Sequence, residues 1–210
     1  MADQLTVFVV DDDPDVRQFL ERLVATRGWK CVSHETAQSF LDNHDPKTPG
    51  CLILDIGLPG MSGLELQREL ADRRIQIPII MLTGTGDIAS AREAFRNGVV
   101  DFVQKPFRNN ELLDCIDRAL QADARLREQR AIQNDARERF GRLTPREREV
   151  VDLMVEGKTT KEIAFALSLS PKTVDVHRAN GLRKMGIESV AELVRLSVAL
   201  NAEVGLVSPV

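Results

Sequence analysis

Asp11, Asp12, Asp55, Thr83 and Lys105 each stand at or just beyond the end of a short apolar run. The runs are Leu5 to Val10, Cys51 to Leu54, Ile77 to Leu82 and Val99 to Val103, and Gly57, Pro59, Gly60 and Gly63 follow the second of them. Short apolar runs closed by turn residues read as buried strands. In open α/β sheets the carboxyl ends of the strands are where ligands bind. Carboxylates gathered there repel one another unless a cation sits among them, and hard oxygen ligands with room for water suit Mg²⁺. A lysine in such a pocket can pair with an anion, and a threonine hydroxyl can donate to it. Carboxylate, Mg²⁺, hydroxyl and ammonium are together the parts needed to phosphorylate an aspartate. Asp55, on the central run, is the residue the others would serve. An aspartate after a strand is more often the cap of the next helix, a role open to Asp13 or Asp15, and a lone Lys105 would be ordinary surface. The coincidence at four strand ends favours one shared pocket.

The elements that must position these residues follow a regular alternation. Strands are expected near 5–10, 30–34, 50–54, 78–82 and 99–103, and helices near 14–27, 36–43, 63–73, 87–97 and from about 109. This spacing argues a parallel, doubly wound sheet. In the order 2-1-3-4-5 the first and third strands are neighbours, which brings Asp11 and Asp12 beside Asp55. Pro14 and Gly28 fit the start and stop of the first helix. From Phe107 to Phe140 there is neither Pro nor Gly. Leu112, Leu113, Ile116, Ala119 and Leu120 keep helical spacing; beyond them only Leu126, Ile132 and Ala136 are clearly apolar. One long helix is expected, its second half leaving the first domain as a linker. A coiled-coil seam is the alternative, but the heptad pattern is too broken to favour it.

After Gly141 short, strongly capped helices take over. Thr144-Pro145-Arg146-Glu147, Thr159-Thr160-Lys161-Glu162 and Ser189-Val190-Ala191-Glu192 are capping boxes. Four helices fit into 144–200, and those near 160–167 and 171–185 are joined by Ser168-Leu169-Ser170, a helix-turn-helix. The helix from Pro171 to Met185 holds Lys172, Arg178, Arg183 and Lys184 against one acid, Asp175. A basic face is often mere solvated surface. Placed second in a helix-turn-helix, it enters a major groove, where an acid can accept from cytosine N4 and Val176 can touch a thymine methyl. Gly181 interrupts this helix at ~1 kcal/mol relative to alanine, with no function evident. His177 has no partner at metal-ligand spacing. Val190, Leu193, Val194 and Leu196 on the last helix exceed what one small domain needs to bury and point to a dimer surface.

The net charge of −4 hides an asymmetry. Residues 1–120 carry 13 Lys+Arg and 19 Asp+Glu, whereas residues 121–210 carry 15 and 13. An acidic front and a mildly basic back fit two domains with different partners. No apolar run approaches the ~20 residues that span a bilayer, and no signal peptide is visible. Cys31, Cys51 and Cys115 are odd in number and lack C-x-x-C spacing, which suits buried thiols of a cytosolic protein.

Val9-Val10-Asp11-Asp12-Asp13, Leu54-Asp55, Leu58-Pro59-Gly60-Met61-Ser62-Gly63, Thr83-Gly84 and Lys105-Pro106 resemble the receiver domain of bacterial two-component response regulators. Residues 143–200 resemble the LuxR-type helix-turn-helix. Gly-Asp after the threonine and Arg-Ala-Asn in the recognition helix are similar to the FixJ-like branch, which includes the styrene-response regulators. The resemblance implies a receiver at 1–120, a helical linker at 121–142 and a DNA-binding domain at 143–205. By it, Asp55 is the phosphoacceptor. Asp11, Asp12, Asp55 and the carbonyl of Gly57 would hold Mg²⁺ (or Mn²⁺). Thr83 and Phe102 would be the switch pair, and Lys105 the phosphate-sensing lysine before a cis proline. Asp175, Val176 and Ala179 would meet bases, with Lys172, Thr173, Arg178 and Lys184 close to DNA. The implied partners are a sensor histidine kinase, a two-fold DNA operator, a second copy joined through the face of the fourth helix and fifth strand on phosphorylation, and RNA polymerase, all in the cytoplasm. Such a protein is not a turnover enzyme.

The chain departs from the family pattern at two places. Gly57 stands where relatives usually carry a larger residue, and Thr85 where close ones often have His; both overhang the phosphoryl group, so the lid looks thin. A haloacid-dehalogenase-type phosphatase also uses strand-end aspartates and Mg²⁺, but it wants Asp-x-Asp followed by Thr or Val, and here Pro14 and Asp15 follow Asp13. A receiver with an RNA- or protein-binding output is the third reading.

Overall fold

Five short runs, the inner three mostly aliphatic and β-branched and each too short for a helix, form one sheet. They are β1 (Thr6–Val10), β2 (Lys30–His34), β3 (Gly50–Asp55), β4 (Ile79–Thr83) and β5 (Asp101–Gln104). The computed structural model describes residues 4–84 and 99–201. The helix expected near 87–97, and with it Thr85, lies outside them. The strand order is β2-β1-β3-β4-β5, all parallel, as the alternation requires. Helices α1 (Pro14–Ala25), α2 (Ala37–Asn43) and α3 (Gly63–Asp72) connect the strands, and α4 runs from Asn109 to Gly141.

The inner strands β1, β3 and β4 are buried on both faces. Val7, Val9, Ile53, Ile80 and Leu82 pack with Leu20 and Val24 of α1 and with Leu112, Ile116 and Leu120 of α4. Phe8, Val10, Leu52, Leu54 and Met81 pack with Phe40 of α2 and Leu66 and Leu70 of α3. This double burial explains the unbroken apolar runs. Asp13 caps α1 by accepting from the Asp15 N–H. All three cysteines are free thiols. Burial pushes Cys31 up to about 12 and Cys115 up to about 11.

The chain divides into two units, Met1–Leu126 and Arg127–Val210. Both draw core residues from α4. In the first, buried Asp123 accepts from the Gly50 N–H at 2.9 Å, tying α4 to the start of β3. In the second, Ala136 and Phe140 join the core. The stretch 121–142 read as linker therefore contributes buried side chains at each end, which its sparse apolar residues did not signal.

The second unit adds α5 (Pro145–Val155), α6 (Thr160–Leu167), α7 (Pro171–Met185) and α8 (Val190–Asn201). Thr144 with Glu147 and Thr159 with Glu162 make complete capping boxes. The third expected box is half made. Ser189 Oγ accepts from the Glu192 N–H, but the Glu192 carboxylate accepts from the Glu188 N–H instead. The expected dimer face is also corrected. Leu193 and Leu196 are core residues, while Val190, Val194 and Val198 lie exposed at helical spacing along the other side of α8. The helix has two apolar faces, and composition could not say which one turns inward.

Gly181 has a packing role. A Cβ built there would lie 3.1 Å from Val151 Cγ2, 3.6 Å from Leu143 Cδ2 and 3.8 Å from Glu147 Cβ. Its bare backbone lets α7 lie close on α5. Beside it Glu147, nearly buried, accepts from the Thr144 N–H at 2.9 Å and from Lys184 Nζ at 2.7 Å.

Candidate functional site

The register of the sheet builds the pocket. Val10 lies opposite Leu54, so Asp11 leaves β1 level with Asp55 at the end of β3. Asp55 lies opposite Leu82 of β4, which puts Thr83 one step beyond. The Lys105 N–H donates to the Thr83 carbonyl at 2.8 Å and brings in the end of β5. Gly63 allows α3 to begin against this site, since a Cβ there would sit 2.2 Å from the Asp55 carbonyl oxygen.

Lys105 Nζ bridges the two buried carboxylates, 2.7 Å from Asp11 Oδ2 and 2.6 Å from Asp55 Oδ1. The other oxygens are also held. Asp55 Oδ2 accepts from the Gly57 N–H at 2.7 Å, and Asp11 Oδ1 from the Asp13 N–H at 3.0 Å. Arg17 Nη1 donates to the Asp11 carbonyl at 2.7 Å. Burial pushes the Asp11 carboxyl up, against the hydrogen bonds from Lys105 and Asp13. Burial works to lower Lys105, but its hydrogen bonds to Asp11 and Asp55 outweigh this and hold the ammonium above its ordinary value.

Two carboxylates around one ammonium leave the pocket one negative charge. Its hard oxygen donors fit a magnesium ion in kind. With Lys105 seated between Asp11 and Asp55, no three His, Cys, Asp or Glu side chains among the described residues are gathered to hold a metal. Asp12 is exposed at the rim. Gly57 leaves space over Asp55: a Cβ there would stand 3.2 Å from Oδ2. Thr83 is buried, its hydroxyl donating to the Gly84 carbonyl at 3.1 Å. Phe102 lies opposite Met81 in β4 and packs partly buried against the core. The Lys105-Pro106 bond is cis.

On α7 the buried residues Val174, Gly181 and Met185 face the core. Lys172, Asp175, Val176, Arg178 and Ala179 are exposed, and the 3.6-residue period puts Lys172, Asp175, Val176 and Ala179 on one side. Two of the residues expected near DNA also make contacts within the domain. Thr173 shares a hydrogen bond with the capping Ser170 hydroxyl at 2.7 Å, and Lys184 is paired with Glu147. Asp175 Oδ1 accepts from Thr160 Oγ1 of α6 at 3.4 Å. His177 is half-buried.

Several residues of this architecture escaped sequence reasoning. The Ser62–Glu65 capping box on α3 carries the S-x-x-E signal and was legible. The partners of Arg17, Asp123 and Lys184 lie 6, 73 and 37 positions away, and nothing local marks the two distant pairings. Phe165, fully on the outside of α6, had no flag in its amphipathic pattern.

Comparison with known proteins covers nearly the whole chain. Residues 7–117 match the model of the response regulator receiver domain, and residues 142–197 match that of the bacterial regulatory proteins of the luxR family. The transcriptional regulatory protein FixJ of Rhizobium meliloti is 40% identical over 194 residues, covering 92% of this chain and 95% of that protein. The response regulator protein TodT of Pseudomonas putida F1 is 39% identical over 202 residues, with 96% and 89% covered. Among solved structures, the response regulator StyR superposes with a TM-score of 0.82 at 40% identity, over 92% of this chain and 98% of that one.

Proposed function

The chain belongs to the response regulators that join a receiver to a LuxR-type DNA-binding domain and is a DNA-binding transcriptional regulator; on that premise we propose that Asp55 is its phosphoacceptor. The observation that carries this reading is the Asp11–Lys105–Asp55 bridge at the carboxyl ends of neighbouring strands. A carboxylate oxygen of Asp55 attacks the phosphorus of a kinase phosphohistidine. A P–O bond forms as the P–N bond breaks, and the leaving imidazole keeps the electron pair and takes a proton from solvent. Receiver domains generally bind Mg²⁺ at the acidic pocket, where it neutralises phosphoryl oxygens when bound. Asp11, Asp12, Asp55 and the Gly57 carbonyl are the groups that would hold it. Lys105, released from Asp55, follows the charge to the new phosphoryl oxygens, and Thr83 and Phe102 rearrange around them.

A response regulator with a DNA-binding output is typically not an enzyme, and this chain takes one phosphoryl group and loses it without turnover. No helix among the described residues is long and apolar enough to cross a membrane; a cytoplasmic protein served by a sensor histidine kinase follows from the reading. Receiver (1–120), helical linker (121–142) and DNA-binding domain (143–205) divide the work. Phosphorylation pairs two copies, and the Val190, Val194 and Val198 face of α8 closes the pair on a two-fold operator. Lys172, Asp175, Val176, Arg178 and Ala179 read or steady the DNA there. Thr173 and Lys184 lie close to the DNA as well, besides serving α7 through its cap and its anchor on Glu147. RNA polymerase is the final partner.

The test is Asp55→Asn with acetyl phosphate and Mg²⁺. The wild type takes up stoichiometric label and the variant none; stoichiometric label on the variant would sink the assignment.

A further inference from the structure

Arg17 lies in the first turn of α1, half-buried beside the acidic pocket. A guanidinium ordinarily pairs with a carboxylate or phosphate, and Asp12, Asp13 and Asp15 all stand close to it in the chain. Yet Arg17 has no ion pair among the described residues, and its Nη1 donates instead to the neutral backbone carbonyl of Asp11 at 2.7 Å. That carbonyl opens the peptide unit leading into Asp12. The unit is planar, so fixing its oxygen fixes the direction in which Asp12 leaves the end of β1.

The residues on either side of Asp12 are tied down by other bonds. The Asp11 N–H donates to the His34 carbonyl of β2 at 3.2 Å, the Asp13 N–H to Asp11 Oδ1 at 3.0 Å, and the Arg17 N–H to the Asp13 carbonyl at 3.1 Å. Lys105 holds the carboxylates of Asp11 and Asp55 as well. Asp12 differs from both. Its carboxylate is exposed at the rim and makes no hydrogen bond or ion pair among the described residues. Only the backbone aims it, and Arg17 is the one side chain among the described residues that grips the oxygen of that backbone. We propose that Arg17 is a positioning residue for Asp12, holding this carboxylate where a divalent cation entering the pocket meets it. The proposal rests on the reading of Asp11, Asp12 and Asp55 as the Mg²⁺ set. Groups standing behind metal ligands change metal affinity roughly ten- to a hundredfold when removed, and a grip through one peptide unit belongs at the low end. The charge of Arg17 acts with the opposite sign. Deleting a cation beside an acidic pocket would tighten the binding of another cation, so the direction of the change separates positioning from bare electrostatics.

The test titrates the full-length protein with Mn²⁺ alone, the free ion being read by its EPR signal, and repeats the titration with Mg²⁺ as competitor. Arg17→Ala weakens binding of both ions about tenfold, and Arg17→Lys, which keeps a charged donor, recovers most of the loss. Asp12→Asn weakens binding by itself. Adding Arg17→Ala to Asp12→Asn then changes the affinity less than about twofold, because the carboxylate that Arg17 aims is gone and the two effects do not add. With acetyl phosphate as donor, the Mg²⁺ concentration for half-maximal labelling of Arg17→Ala rises by the same factor, while the rate at saturating Mg²⁺ falls far less. An affinity that Arg17→Ala leaves unchanged or tightens overturns the proposal. So does an Arg17→Ala effect of equal size with and without Asp12→Asn, the mark of a merely structural role. Metal binding that Asp12→Asn leaves untouched would overturn the reading of the metal set as well.

Discussion

Replacing Gly181 measures how closely α7 must approach α5. Alanine recovers ~1 kcal/mol of helix propensity, but its Cβ would lie 3.1 Å from Val151 Cγ2, inside the ~3.5–4.0 Å at which carbon atoms attract. Val151 is fully buried and, being β-branched, cannot turn aside cheaply. Overpacking costs ~1–3 kcal/mol, and one methyl group belongs at the low end, so Gly181→Ala should be nearly neutral. Gly181→Leu drives three further carbons toward Val151, Leu143 and Glu147 and should cost about 2–3 kcal/mol. At ~4–8 °C per kcal/mol for a small domain, the second unit should melt roughly 8–24 °C lower. Val151→Ala, placed with it, should recover part of the loss. The chain supplies its own control, having one Trp and no Tyr. Trp29 packs in the first unit, so its fluorescence midpoint should stay put while the helical signal at 222 nm shifts. A Gly181→Leu protein melting like the wild type would refute the close-approach argument.

Arg178→Ala should weaken operator binding without unfolding the domain and reduce the slope of log affinity against log salt by about 0.9, the value of one phosphate contact; an unchanged affinity across a salt series removes Arg178 from the interface. Gly57→Met, alone or with Thr85→His, should slow decay of the phosphorylated protein about tenfold, ~1.4 kcal/mol in the barrier, because a side chain starting 3.2 Å from Asp55 Oδ2 obstructs in-line water. Equal or faster decay after donor removal would mean the thin lid does not set the clock. Glu147 is held down to about 2, first by its hydrogen bond from Lys184 and then by that from the Thr144 N–H. A depressed carboxyl stabilises above its unfolded value of 4.5, and the contribution fades as pH falls from there toward about 2. The gap in Tm between wild type and Glu147→Gln should therefore close over that interval, and a gap independent of pH would contradict it.

The sheet and its acidic pocket were legible because their signals are local and repeated. The three inner strands are apolar runs buried on both faces, and Asp11, Asp55 and Thr83 are the first polar groups to end them. The caps at Thr144 and Thr159 were legible for the same reason, since a box is written within four residues. What could not be read was pairing across distance. Nothing near Asp123 announces Gly50, and nothing near Lys184 announces Glu147. Gly181 read only as a defect, because its use depends on Val151 on another helix. On α8 the sequence offered two apolar faces and no means of choosing between them.

The contrast between short-range caps and long-range strand pairing bears on how the chain assembles. Helices that carry their own start signals and pack on neighbours a few turns away fold quickly, whereas parallel strands must first close long loops. Val10 finds Leu54 across more than forty residues, while α6 and α7 meet across a three-residue turn. The first unit should therefore be the slower to reach its native state. It is also the first to be made. At ~5–20 residues per second, synthesis of the remainder after Leu126 takes on the order of ten seconds. The slow unit has that interval to pair its strands before the fast one is complete, and an inverted gene order would take the interval away.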